Sequence, residues 1–109
     1  MINKVLLVGI TIVDNDDATV EQIQVFGSII RADKNGVVIK RNGIESDFVI
    51  PPDFDNIFEA EPGEYSLRSS GEKVLNPDFI STWVINSTCA DAIEEYRMHG
   101  FRASLVSQS

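Results

Sequence analysis

Two Asn-Gly pairs seven residues apart, Asn35-Gly36 and Asn42-Gly43, constrain this 109-residue chain more than any other feature. Both central residues of a tight type I′ hairpin turn need positive φ, which Asn and Gly tolerate and β-branched residues do not. Lys34-Asn35-Gly36 separates Ile29-Ile30-Arg31 from Val37-Val38-Ile39, and Asn42-Gly43 separates that run from Ile44 to Ile50. A three-strand meander is expected. Pro51-Pro52 ends it, because two residues without a backbone N–H cannot continue a sheet ladder.

β signals dominate on either side of this meander. Val5 to Val13 (VLLVGITIV) is apolar on both faces, as a central strand packed on two sides would be. Val20 to Arg31 alternates, with Ile23, Val25 and Ile29 on one face and Gln22, Gln24 and Ser28 on the other. Gly27 in its middle predicts a bend or bulge. Asp53 is placed to cap a helical turn in which Phe54 and Phe58 lie on one side. Tyr65 to Ser69 is a strand leading to a turn at Ser70-Gly71-Glu72, across which Arg68 and Glu72 could pair. After the Asn76-Pro77-Asp78 turn, Phe79 to Ile85 is another strand, with Phe79, Ser81, Trp83 and Ile85 on one face.

A helix over 88–99 closes the pattern, with Thr88 and Asp91 spaced as a capping box, Cys89, Ala92, Ile93 and Tyr96 as its apolar stripe, and Gly100 as its stop. Phe101, Ala103 and Leu105 alternate as a last strand over 101–106. The fold class is mainly β (α+β): a small bent antiparallel sheet or Sm/SH3-like half-barrel with one C-terminal helix. A single domain over 1–109 is expected, strand-rich over 1–86.

Composition fits a folded domain, with 43% hydrophobic and 24% charged residues. Cys89 is the only cysteine, so no internal disulfide can form and a cytoplasmic setting is expected. The apolar run after Lys4 lacks a small-x-small cleavage site and meets Asp14, Asp16 and Asp17, which argues against a secretory signal. It is also too short to span a bilayer as a helix.

Charge is distributed unevenly. Between Asn42 and Leu67 stand seven acids (Glu45, Asp47, Asp53, Asp55, Glu59, Glu61 and Glu64) and no Lys or Arg, while the rest of the chain holds ten acids against nine bases. Nearly all of the net charge of -8 therefore comes from one segment. A single-sign field speeds encounter with cationic partners and repels nucleic acid. Phe54, Phe58 and Tyr65 interrupt the acids, and aromatic anchors inside a charged field are what protein interfaces use. Asp47, Asp53, Phe54, Asp55, Phe58, Glu59, Glu61 and Glu64 are the candidate partner-binding residues. The competing reading of Phe54 and Phe58 is that they plug the end of a small barrel, and that of the acids is a solvated face.

Elsewhere the chemistry is sparse. With one His and one Cys, a multi-ligand His/Cys zinc cluster cannot be built within one chain. Cys89 and His99 would lie about 15 Å apart along a helix, which reads as a core thiol and a histidine at a helix C-terminus rather than a catalytic pair. Asp14-Asn15-Asp16-Asp17 lacks the glycine and spacing of a calcium loop, and no glycine pattern forms a phosphate cradle. Asn86-Ser87-Thr88 fits a glycosylation sequon, which matters only in a secreted chain. No nucleophile has an identifiable base. No enzyme activity, metal or cofactor is expected.

The stretch Gly63-Glu64-Tyr65-Ser66-Leu67-Arg68-Ser69-Ser70-Gly71-Glu72-Lys73-Val74, followed by Asn76-Pro77-Asp78-Phe79 and Thr82-Trp83, resembles a pattern of a loosely characterised family of small bacterial β proteins. The segment from Gly27 to Asp53 is similar to that family as well. The match covers 20 to 85 and leaves out the C-terminal helix. It implies a small β protein with the role of an immunity protein for a secreted bacterial toxin, and it brings no functional residues with it.

The leading expectation is an acidic, cytoplasmic immunity or inhibitor protein that masks a basic, nuclease-like toxin surface. The alternative is an Sm-like RNA-binding or assembly module, for which Arg31, Lys34, Lys40 and Arg41 are the basic cluster. A hydrolase is the least supported reading.

Overall fold

Val5–Val13, the run apolar on both faces, forms the strand β1 at the centre of the molecule. The computed structural model describes residues 2–41, 44, 47–67 and 71–101. Along the chain follow β2 (Thr19–Asp33), β3 (Gly36–Lys40), β4 (Asp47–Ile50), a 3₁₀ turn (Phe54–Asn56), β5 (Phe58–Glu59), β6 (Glu64–Ser66), β7 (Lys73–Leu75), β8 (Phe79–Asn86) and the helix α1 (Ala90–His99). Six strands make one bent sheet in the order β4-β3-β2-β1-β8-β5, and β6 and β7 form a separate ribbon. The molecule is thus mainly β with one C-terminal helix, as the turn and strand signals require.

Strands β2, β3 and β4 form the expected antiparallel meander, with Ile29 opposite Ile39 and Ile39 opposite Phe48. The sheet is mixed rather than wholly antiparallel, because β8 runs parallel to β1 with Leu6 beside Phe79 and Val13 beside Asn86. The chain leaves β4 at one edge and crosses to the far side of β1 before entering β8. Such a crossover is what parallel pairing needs.

The inner face of the sheet carries Leu6, Val8, Ile10 and Ile12 of β1 with Ile23, Ile29, Val37, Ile39, Phe48 and Ile50, all buried. Each such side chain contributes about 1.5–3 kcal/mol relative to exposure. Ile93 and Tyr96 of α1, together with Phe101, cover this face and pack with Trp83. Phe101 sits 5.2 Å from the Trp83 ring and 5.3 Å from that of Tyr96. On the outer face a smaller cluster of Leu7, Leu67 and Val74 lies under the β6–β7 ribbon with Phe26 and Ile80.

Several expectations need correction. The register of β2 shifts at Ile30 against β3 and at Val20 against β1, not at Gly27. Gly27 instead permits a close backbone approach, since a Cβ there would stand 2.4 Å from the Lys40 carbonyl oxygen. β7 had no strand signal of its own; it forms because Tyr65 and Val74 pair within the ribbon. The helix starts at Ala90 with Cys89 at its N-cap and no side-chain capping bond, so Thr88 and Asp91 make no capping box. Ser87 donates its N–H to Val13 (2.9 Å), which prolongs the β1–β8 pairing and delays the helix. Cys89 is exposed rather than part of a buried stripe.

Asn42-Gly43, Glu45, Arg68 with its pairing to Glu72, Ser69-Ser70 and the last strand beyond Phe101 lie outside the described residues. Among the described residues, no helix is long and apolar enough to cross a membrane.

Candidate functional site

The acidic segment is organised by Asn56 rather than by any of its acids. The Asn56 side-chain amide donates to the Thr82 carbonyl (2.7 Å), and the hydroxyl of fully buried Ser81 donates to the Asn56 carbonyl (2.7 Å). These bonds clamp the 3₁₀ turn onto β8. Asp53 precedes the turn without a side-chain capping bond, so its carboxylate is not spent on the backbone. Ile57 then turns inward to pack on the core.

Phe54 and Phe58 do not plug the sheet's end. Phe54 is 44% exposed and Phe58 is 56% exposed. Phe58 pairs opposite Ile80, and directly opposed residues share a face, so its ring is on the outer side while Ile57 takes the inner position. Phe58 does not lie in the helical turn with Phe54 but belongs to the edge strand β5.

Asp53, Asp55, Glu59 and Glu61 are exposed, and among the described residues none of them makes an ion pair. Glu59 sits on β5, and Glu61 follows in the loop whose carbonyl accepts the Tyr65 hydroxyl (2.8 Å). Glu64 differs, because it pairs with Lys73 across the ribbon at 3.2 Å. Asp47 differs as well. It is half-buried on β4, opposite Lys40, at the other edge in the strand order. The structure therefore brings Asp53, Phe54, Asp55, Phe58, Glu59 and Glu61 together along one sheet edge and leaves Asp47 apart.

The basic cluster read from the sequence disperses. Arg41 is buried, lies 5.1 Å over the Phe48 ring and donates to the Met98 carbonyl (2.6 Å) and the Arg97 carbonyl (3.4 Å) at the end of α1. Burial pushes its pKa down, yet a guanidinium stays charged in proteins. It is this arginine, rather than His99, that satisfies the helix C-terminus. Arg31 pairs with Asp33 at 3.4 Å. Lys34 lies at the opposite end of β3 from Lys40.

Two concavities mark the surface, and only the second touches the acidic edge. One, of about 540 Å³, lies between the outer sheet face and the ribbon, with Phe26, Ile30 and Leu75 as apolar lining and Lys40 and Lys73 at its margin. The other, of about 480 Å³, is bounded by Lys4, Glu59, Asp78 and Phe79. Neither gathers three metal-ligating side chains, and no such group stands among the described residues.

Sequence reasoning missed Asn56, Thr82 and Val84. Only the Asn within an otherwise acidic and apolar turn could have signalled the first. Comparison with family models, curated proteins and solved structures finds no match to this chain.

Proposed function

We propose that this chain is a protein-binding module whose acidic edge captures a basic protein surface, and that it acts as a cytoplasmic inhibitor of the immunity type against a nuclease-like toxin. The observation that carries this reading is the row of exposed Asp53, Asp55, Glu59 and Glu61 without an ion pair among the described residues, set beside the exposed rings of Phe54 and Phe58. Unneutralised carboxylates steer a cationic partner and pair with its Lys and Arg, while the rings supply the apolar anchors. The resemblance carried by the segment from Gly63 to Trp83 supports the narrower immunity role.

An Sm-like RNA-binding role has less to draw on, because Arg41 is occupied by the helix end and Arg31 by Asp33. Lys73 beside the outer groove is likewise paired, with Glu64. Affinity capture from the native cell at low and moderate salt tests both. A stoichiometric basic protein supports the inhibitor reading; RNA retained in a salt-sensitive way overturns it.

A further inference from the structure

The two edges of the sheet end differently. At β4 the edge is covered, because Gly100 bridges to Val49 and Phe101 donates its N–H to the Val49 carbonyl (2.7 Å). At the other side β5 is only two residues long and pairs only with Phe79 and Ile80. Beyond it, Thr82 to Asn86 have no strand partner on that side among the described residues.

The direction of the free groups follows from alternation. Ser87 donates to Val13 of β1, whereas the Thr82 carbonyl accepts from Asn56 on the far side. Backbone groups of successive strand residues point to opposite sides, so those of Thr82, Val84 and Asn86 point away from β1. Asn56 fills the position at the Thr82 carbonyl, and Val84 is left with its N–H and C=O outward and its side chain 74% exposed. Natural sheets blunt such an edge with Lys, Pro or a bulge. Thr82-Trp83-Val84-Ile85 has none of these, and its pairing with β1 is regular throughout.

We propose that this open edge of β8, centred on Val84, receives an extended basic segment of the partner protein as an added strand. The proposal rests on the reading of the acidic edge as a protein-binding surface. Charge decides the occupant. At one end of the free edge lie Asp53, Asp55 and Glu59, and at the other the loop of Asp14, Asp16 and Asp17, whose Asp14 carbonyl accepts the Asn86 side-chain amide (3.0 Å). A strand with Lys or Arg toward both ends meets acids at both, and main-chain bonds to Val84 supply affinity independent of its side chains. A second copy of this chain, also at -8, would bring like charge to like charge.

The test uses the full chain and two short synthetic peptides of equal charge, one alternating lysine and threonine and one with the threonines replaced by proline, which cannot form a ladder. Binding is followed by fluorescence anisotropy, and amide hydrogen exchange of Val84 by NMR. The alternating peptide is expected to bind, to slow exchange at Val84 by about tenfold or more, and to bind more weakly to Val84→Pro; the proline peptide is expected to bind poorly to both. Equal binding of the two peptides, with Val84 exchanging as fast as in the free protein, overturns the added strand but leaves the acidic surface standing. Failure of both peptides to bind overturns both readings. Slow exchange at Val84 in the protein alone, with a dimer in sedimentation, also overturns the proposal by assigning the edge to a second copy.

Discussion

Gly100 meets Val49 so closely that a Cβ on the glycine would stand 2.3 Å from the Val49 carbonyl oxygen. Its φ of 65° lies in the region that L side chains rarely adopt, and its N–H closes the last turn of α1 on Tyr96. One residue thus ends the helix, turns the chain and seats Phe101 on the sheet. Gly100→Ala is expected to cost about 1–3 kcal/mol from backbone strain alone, with the clash adding to it. Urea unfolding measures the loss, and a midpoint within error of wild type would contradict the close approach.

Arg41 joins β3 to the helix end. Removing its guanidinium leaves the Arg97 and Met98 carbonyls without that donor in a partly buried place. Arg41→Met should destabilise by about 1–3 kcal/mol, the cost of leaving such groups unsatisfied. Arg41→Lys should restore only part of this, because an ammonium cannot reproduce a planar fork that also stacks on Phe48. Thermal unfolding of the two variants side by side checks the order.

Trp83 and Val84 are neighbours on β8 with opposite outcomes. Trp83 is half-buried against the core and against Phe101, so Trp83→Ala should cost about 3 kcal/mol, the low end of the range for emptying an aromatic site. Val84→Thr, on the exposed outer face, should change stability by less than about 0.5 kcal/mol. Equal losses at the two positions would mean that the faces of β8 are misassigned. As the only tryptophan, Trp83 also provides an emission signal that should shift in Phe101→Ala.

Gly27 tolerates no side chain where β2 passes the end of β3. Gly27→Ala should destabilise by about 1–3 kcal/mol through overpacking against the Lys40 backbone. Gly63→Ala provides the contrast, since nothing lies within 4 Å of a Cβ there and only the strain of its φ of 148° opposes the change. A larger loss at Gly63 than at Gly27 would count against the close approach.

Replacing Asp53 and Asp55 by Asn and Glu59 and Glu61 by Gln should leave unfolding unchanged, because none of the four makes an ion pair among the described residues. Association with the captured basic partner should slow by about tenfold or more at low salt, with a weaker salt dependence. Unchanged association kinetics would remove this edge from the interface.

Local signals carried the sequence far. The Lys34-Asn35-Gly36 turn, the double proline after Ile50, the alternation of Ile23, Val25 and Ile29 and the stop at Gly100 each act within a few residues, and each appears where it was expected, although Lys34-Asn35 form the turn and Asn35 does not take the positive φ of a type I′ geometry. They establish the meander, the ends of its strands and the C-terminal helix. Tertiary structure decided everything that depends on residues distant along the chain. The parallel seating of β8 beside β1, the shifts of β2 at Val20 and Ile30 rather than Gly27, and the outward turn of Phe58 all follow from which strands meet, and local patterning is silent on that. The same holds for function. Composition marked the acidic segment, but only the fold separated Asp47 from the other acids, sent Arg41 to the helix end and left Val84 on an open edge, because strand order and edge cover arise from pairing across the whole chain.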